Sequence, residues 1–101
     1  MADEQLPQYY VEFESQALWE LLAIQAKAKG TYSVEHSDWF QPHEIIERVD
    51  ARDLEMARKE ANRLLHEGAA LYGNAEIYQR VPDEEYGGFD SVLVEHVEAE
   101  R

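Results

Sequence analysis

The stretch DARDLEMARKEANRLLHEGAALYG, residues 50–73, combines an apolar stripe at helical spacing with an unusual distribution of charge. When each residue is placed about 100° further round a helix axis than the last, one side collects the apolar side chains Leu54, Ala57, Ala61, Leu64 and Leu65. This spacing predicts one amphipathic helix that buries that side in a core. Gly68 is the residue that we expect to end it, because glycine readily adopts the left-handed conformation that follows many helices.

The opposite side of the same helix is polar and basic. Residues 51–66 carry four of the chain's nine lysines and arginines against three acids, so the rest of the chain is more acidic still. The row directly opposite the apolar stripe consists of Arg52, Met56, Lys59, Arg63 and His66, with Arg58 and Asn62 beside it. The acids Asp53, Glu60 and Glu67 fall on the other flank.

The whole chain is strongly acidic and poor in lysine. Its 101 residues contain 22 Asp and Glu, 9 Lys and Arg, and a formal net charge of −13 at pH 7. In dilute salt such a surface repels nucleic acid and anionic membranes. The only lysines are Lys27, Lys29 and Lys59. High acid content with little lysine resembles proteins of salt-loving archaea; an ordinary acidic mesophilic protein is the alternative interpretation.

Length and composition restrict the class of protein further. A chain of 101 residues is enough for one domain with one modest core. The absence of cysteine excludes disulfides, thiolate zinc ligands and cysteine nucleophiles. No export leader is recognisable, and no apolar run approaches the roughly 20 residues that span a bilayer. We therefore expect a cytoplasmic protein with no membrane partner.

Before the central stretch, the chain begins with a predicted strand or arm, a helix and a possible second strand. Residues 9–13 (YYVEF) are rich in strand formers and indicate either a short strand or an arm that packs on the domain or on a second copy. Residues 16–29 have helical spacing, with Ser15 as the N-cap and Gly30 at the end. Residues 31–34 (TYSV) allow a short strand, and EHSDW after them is typical of a turn.

A second, short helix is predicted over residues 42–49. Phe40 and Ile45 have the spacing of a hydrophobic staple, with Gln41 as the cap and Pro42 in the first helical position. Asp50 and Asp53 then offer caps for the long helix. Two helices separated by so few residues must turn sharply, which is a helix-turn-helix arrangement by spacing.

The last part of the chain is predicted to be a β-hairpin. Residues 75–81 and 89–97 alternate as strands, and the connection PDEEYGG (residues 82–88) has the composition of a loop. The predicted organisation is an N-terminal arm or short strand over residues 1–14, one domain over residues 15–97, and a frayed tail over residues 98–101.

This order of elements resembles the winged helix-turn-helix family. The resemblance is carried by FQPHEIIERV, by DLEMARKEANRLLHEGAALYG, and by the two strands around PDEEYGG. It implies an α+β fold, a winged helix-turn-helix of three helices plus a C-terminal β-hairpin wing, similar to small acidic haloarchaeal-type DNA-binding regulators. It also implies that the third helix lies in the DNA major groove and that the wing reaches the neighbouring backbone or minor groove.

The functional hypothesis that follows is a dimeric transcriptional regulator that binds double-stranded DNA. Arginine can pair with guanine, asparagine with adenine, and lysine with phosphate or guanine. The resemblance places recognition on Arg52, Met56, Arg58, Lys59, Asn62, Arg63 and His66. The acids at the wing tip, Asp83, Glu84 and Glu85, depart from the family pattern because they would face phosphates. The alternative is an acidic protein-interaction module or DNA mimic that binds a basic partner.

The residue types needed for catalysis or cofactor binding do not cluster in the sequence. The four histidines are scattered, and none forms the i,i+4 pair of a helical metal site. Glu35, His36, Asp38 and His43 can meet across a turn, but their spacing favours no metal. No serine has the context of a nucleophile elbow. We therefore expect no enzyme activity, no cofactor and no metal.

Overall fold

The two helices and four strands of the computed structural model belong to residues 7–28, residue 30 and residues 42–99, which are the residues that the structure describes. In chain order the elements are β1 (Tyr9–Glu14), α1 (Gln16–Ala28), a 3-10 turn (Pro42–Ile45), β2 (Ile46–Ala51), α2 (Leu54–His66), β3 (Asn74–Pro82) and β4 (Phe89–Glu98). The strands form one antiparallel sheet in the spatial order β2-β1-β3-β4. The predicted strand at residues 31–34, the turn after it and the staple residue Phe40 lie outside the described residues.

Strand β1 lies in the interior of the sheet. Val11 is opposite Val49 of β2 on one side and Ile77 of β3 on the other. Since successive side chains of a strand point to opposite faces, Val11 and Phe13 enter the core while Tyr10 and Glu12 lie on the other face. The YYVEF stretch is therefore a strand with both edges paired, and it has no free edge to offer a second copy.

Helix α2 covers one face of the sheet, and its buried side is the predicted stripe. Ala57 and Ala61 are completely buried and Leu64 is nearly so, while Leu54 and Leu65 are partly buried against the same core. The small alanine side chains let the helix approach Val11 and Ile77 closely. Asp53 is the N-cap, its carboxylate accepting a hydrogen bond of 2.8 Å from the amide of Met56.

The end of α2 also follows the prediction. Gly68 has a φ of 75°, in the left-handed region that glycine occupies without a steric penalty. The amide of Gly68 donates to the carbonyl of Leu65, and the amide of Ala69 donates to that of Leu64. This pair of hydrogen bonds is the Schellman motif, which satisfies carbonyls that the end of a helix would otherwise leave unpaired.

The predicted helix over residues 42–49 is wrong, and with it the winged helix-turn-helix fold class. Only Pro42–Ile45 forms a single 3-10 turn, and Ile46–Ala51 is strand β2. The sequence IIERVDA fits the spacing of a helix and also that of a strand. Its β-branched residues suit a strand, and alternation puts Val49 and Ala51 on the core face. Pairing along the whole of β1 decides in favour of the strand. Among the described residues, no helix-turn-helix unit precedes α2.

The β3–β4 hairpin is present, but it is not a separate wing. Its strands run from Asn74 to Pro82 and from Phe89 to Glu98, close to the predicted bounds. Strand β3 also pairs with β1, so the hairpin is half of the main sheet. From Val81 onward β3 pairs only with β4 within the described part of the chain, so the turn over residues 83–88 extends past the described end of β1.

Helix α1 begins and ends where the sequence predicts. The Ser15 hydroxyl accepts a hydrogen bond of 3.2 Å from the amide of Leu18, and Gly30 has a φ of 77°. The helix packs against the 3-10 turn, while Leu21 and Ile24 remain exposed. Neither described helix is long and apolar enough to cross a membrane.

Candidate functional site

The seven residues predicted to bind DNA are all exposed, but they do not form one row on a helix. Arg52 lies in the bend before α2, and the other six lie on the helix itself. Because α2 packs on the sheet through Ala57, Ala61 and Leu64, its outer side faces solvent along its whole length.

Three of the four cations in this set are held by carboxylates. Arg63 donates hydrogen bonds to Glu60 and to Glu67, the second at 2.9 Å. These bonds, Glu60 first, raise the pKa of the Arg63 guanidinium above its usual value. The ammonium of Lys59 lies 3.9 Å from Glu55, a loose exposed pair. The acids that the helical projection placed on the flank thus reach Arg63 from positions i−3 and i+4.

Among the described residues, Arg58 is the member of the set with a long-range ion pair. Its Nε lies 2.9 Å from Oε1 of Glu95 on β4, so this side chain connects the helix to the last strand of the sheet. Arg52 differs from the other cations because no carboxylate of the described residues lies within ion-pair distance of it. Together these contacts leave the outer side of α2 with little uncompensated positive charge.

A groove of about 750 Å³ runs beside the second half of α2 and the end of β4. It contains four of the predicted residues and one carboxylate, and its lining is Lys59, Asn62, Arg63, Leu65, His66, Glu98 and Ala99. The structure therefore brings Lys59, Asn62, Arg63 and His66 to one concave surface, whereas Arg52, Met56 and Arg58 lie outside it. Glu98 makes this groove mixed in charge.

The open face of the sheet carries an aromatic–arginine cluster that the sequence analysis missed. The rings of Tyr10 and Tyr78 are stacked with centroids 5.3 Å apart, and the guanidinium of Arg80 lies 4.6 Å from the centroid of the Tyr10 ring. Arg48 lies over the same ring at 5.5 Å. The Tyr10 hydroxyl donates a hydrogen bond of 2.7 Å to Ser91 on β4. The only available signal was the alternation of Tyr10 in β1, since its partners come from three distant strands.

The hydrogen bonds of this cluster are satisfied within the protein. Arg48 pairs with Glu12, and this hydrogen bond raises the pKa of Arg48. Arg80 pairs with Asp50 and donates to the carbonyl of Pro7. Tyr10 is only 5% exposed, so its ring cannot serve as a stacking platform for a nucleobase. Burial, followed by the charge of Glu76, raises the pKa of Tyr78. The cluster stabilises the sheet and offers no free ligand site.

The hairpin turn carries a cluster of acidic side chains that extends beyond the end of β1. The carboxylate of Asp83 accepts hydrogen bonds from the amides of Glu85 and Tyr86 at 3.0 and 3.1 Å, which fixes the turn. The Tyr86 side chain is 82% exposed. We call this surface the acidic tip; it consists of Asp83, Glu84, Glu85, Tyr86 and Asp90. Within the described residues, none of its carboxylates has a cation within ion-pair distance.

Across the described residues, no three His, Asp or Glu side chains are arranged to bind one metal ion. Glu35, His36 and Asp38 of the predicted set lie outside the described residues, as does the side chain of His43. His96 lies within 3.7 Å of Glu76 and 3.6 Å of Glu98, which places it between two carboxylates at the end of the sheet.

Comparison with known proteins assigns no family to this architecture. No protein-family model matches the sequence, no curated protein is similar to it, and no solved structure matches the fold. The structure itself defines an α+β domain in which α2 covers one face of a four-stranded antiparallel sheet.

Proposed function

We propose that the chain is an acidic protein-interaction module that binds a basic partner through the acidic tip. The observation that carries this proposal is an asymmetry of pairing. Arg58, Lys59 and Arg63 of α2 each have a carboxylate neighbour, whereas Glu84, Glu85 and Asp90 have no cation partner among the described residues. Apart from Arg52, the charge on these two surfaces that is free to act on a ligand is therefore negative.

Electrostatics favours a basic partner over nucleic acid. A phosphate that approaches Arg63 would have to compete with two carboxylates that already accept its hydrogen bonds. A lysine or arginine side chain that approaches Glu84 and Glu85 displaces only water and counterions. At a net charge of −13, long-range attraction also draws a cationic chain toward the surface in dilute salt.

The shape of the acidic tip supports the same proposal. The two hydrogen bonds to Asp83 fix the turn before any ligand arrives, so little conformational freedom is lost on binding. The exposed ring of Tyr86 adds a surface over which a guanidinium or ammonium group can lie. Carboxylates beside an exposed aromatic ring suit an arginine- or lysine-rich segment of a protein.

The experiment measures binding of a short arginine-rich peptide to the full chain by titration calorimetry. The variant E84Q/E85Q removes two charges from the acidic tip, and the control E20Q/E47Q removes two exposed charges elsewhere. Exposed charge contacts contribute about 0.2–1 kcal/mol each. The two charges together contribute about 0.4–2 kcal/mol, so we expect the tip variant to bind about two- to thirtyfold more weakly, since 1.4 kcal/mol is tenfold. The control should change affinity much less.

Two results would count against the acidic tip. If both double variants weaken the peptide equally, net charge alone is responsible and there is no localised site. If the affinity is the same in 0.1 M and 1 M salt, the contact is not electrostatic, because the Debye length falls from about 10 Å to about 3 Å over that range.

DNA binding through α2 is the second candidate function. Two observations favour it: Lys59, Asn62, Arg63 and His66 line one groove, and Arg52 has no carboxylate partner among the described residues. At molar salt the repulsion between the acidic surface and DNA is screened, so binding would depend on direct base contacts. The test replaces Arg52, Lys59 and Arg63 with Ala and measures binding to DNA selected from a random pool. Loss of binding supports this candidate, and a failure to select any DNA excludes it.

A further inference from the structure

The two edges of the sheet are built differently. Strand β2 is short, and its edge carries the charged residues Glu47, Arg48 and Asp50. Charges of this kind discourage pairing with another strand. Strand β4 is longer and carries a run of exposed apolar side chains, with exposed fractions of 50% at Phe89, 49% at Val92 and 51% at Leu93. An edge of this composition is a ready template for strand addition.

A β-bulge limits the usable part of the β4 edge. Tyr78 is opposite Leu93 and Ile77 is opposite Glu95, so Val94 has no partner on β3. A bulge bends a strand and interrupts the regular spacing of its hydrogen-bonding groups. The regular segment therefore runs over residues 89–93, about 17 Å of chain. Its face is known from the register: Phe89, Ser91 and Leu93 lie on the open face with Tyr10, and Asp90 and Val92 lie on the other.

We propose that residues 89–93 of β4 pair antiparallel with the same segment of a second copy of this chain, centred on Ser91. In this register Phe89 of each copy is opposite Leu93 of the other, so two half-exposed apolar side chains cover each other on the open face. Ser91 of one copy is opposite Ser91 of the other, and Asp90 of each copy is opposite Val92 of the other. No acid is opposite an acid, and the two four-stranded sheets continue as one sheet of eight strands.

A neighbouring register is much less favourable. Centring the pair on Val92 would put Phe89 opposite Glu95 and Asp90 opposite Val94, so each apolar side chain at the ends would face a carboxylate. That register would also include the bulge. Since antiparallel pairing of a strand with itself has two-fold symmetry, each favourable contact occurs twice. The segment around Ser91 is therefore self-complementary, which is the argument for a second copy as the occupant.

The effect of salt separates this association from peptide binding at the acidic tip. Two chains of charge −13 repel each other, so salt should strengthen the dimer by screening. Salt should weaken the attraction of the acidic tip for a basic peptide. The two proposals share only Asp90 and respond to salt in opposite directions, so either can fail alone.

The oligomeric state is measured by sedimentation equilibrium of the full chain in 0.1 M and 2 M salt. We expect a monomer–dimer equilibrium that shifts toward dimer at high salt. The variants Val92→Lys and Leu93→Lys should shift it toward monomer at least tenfold, because each places a charge on the pairing edge. The control Met56→Lys adds the same charge on α2 and should leave the equilibrium close to that of the parent. Circular dichroism confirms that the variants are folded.

The register is tested by disulfide formation, which is unambiguous in a chain without cysteine. Directly opposite residues have Cβ atoms about 4.5–5.5 Å apart, whereas diagonal neighbours are about 7–8 Å apart. Ser91→Cys should therefore form an intermolecular disulfide readily on mild oxidation. Asp90→Cys, and Glu47→Cys on the other edge, should not. A chain that stays monomeric at millimolar concentration in 2 M salt, or that oxidises no faster at residue 91 than at residue 47, overturns the proposal.

Discussion

The guanidinium of Arg58 on α2 and the carboxylate of Glu95 on β4 lie 2.9 Å apart, and they connect the helix to the outermost strand of the sheet. In the sequence, Arg58 stands beside a basic row, and the resemblance to winged helix-turn-helix proteins predicts that it contacts DNA. In the structure its charge is compensated by a residue 37 positions away. A residue's exposure on a helix therefore does not establish that it is available to a ligand.

This ion pair should make a small, salt-sensitive contribution to stability. The side chains are 53% and 35% exposed, so solvent screens much of the attraction. We expect a coupling free energy of about 0.2–1 kcal/mol, as for other exposed pairs. A double-mutant cycle with Arg58→Met and Glu95→Gln, measured by urea unfolding, gives this value directly. The coupling should shrink in 1 M salt; an equal coupling at both salt concentrations would show that packing, not charge, links the two side chains.

Replacement of Ile77 should test whether the core lies between α2 and the sheet. Ile77 is fully buried at the centre of β3, opposite Val11. The change Ile77→Ala should lower the free energy of unfolding by about 2–5 kcal/mol, because it removes apolar contacts and leaves a cavity. Met56→Ala on the exposed side of α2 is the matched control, with an expected change within about 0.5 kcal/mol. Similar losses for both would mean that the helix does not pack on the sheet through the predicted side.

The N-cap of α2 gives a prediction with a conservative control. Asp53→Ala removes the acceptor for the amide of Met56 and should cost about 1 kcal/mol of unfolding free energy. Asp53→Asn keeps a side-chain oxygen at the same place and should retain most of the stability. Thermal unfolding followed by circular dichroism distinguishes the two variants. If Asn is as damaging as Ala, the charge of Asp53 matters more than its hydrogen bond.

Tyr78 should make the protein less stable in alkali. Burial and the nearby Glu76 raise the pKa of its hydroxyl above the unfolded value of about 10. The protonated Tyr78 hydroxyl makes its full contribution to the free energy of unfolding below about pH 10. This contribution is lost as pH rises through the folded pKa, because the unfolded chain releases the proton first. We expect the free energy of unfolding of the parent to fall more steeply above pH 10 than that of Tyr78→Phe. Parallel pH profiles for the two proteins would contradict this assignment.

The parts of the fold that were predicted correctly depend on local signals. The stripe of α2, the caps at Ser15 and Asp53, and the ends at Gly30 and Gly68 are each encoded within a few residues. The signals that predict the two hairpin strands also lie within a few residues of each other. Strand β2 was misassigned because IIERVDA fits a helix and a strand almost equally well. Only its pairing with β1, which is distant in the sequence, decides between them.

The candidate site was likewise predictable where it depends on neighbouring residues of one helix, and not where it depends on contacts between distant elements. Helical spacing correctly placed the six α2 residues of the predicted set on its outer side. It did not reveal that Glu95 would approach Arg58 from another strand. Nor did it show that Tyr10, Tyr78 and Arg80 would meet on the open face, since that requires the spatial order of the strands. Functional assignments from a helix projection are thus reliable for exposure and unreliable for net charge.

The interior position of β1 has a consequence for how the chain folds. Strand β1 can pair fully only after two later segments of the chain have formed, since Val11 pairs with Val49 of β2 and with Ile77 of β3. Long-range pairings of this kind slow folding, because a loop must be closed before the contact contributes any stability. The β3–β4 hairpin, whose strands are adjacent in the sequence, can form first. During synthesis β1 would leave the ribosome well before the strands that flank it, with Val11 and Phe13 exposed until they arrive.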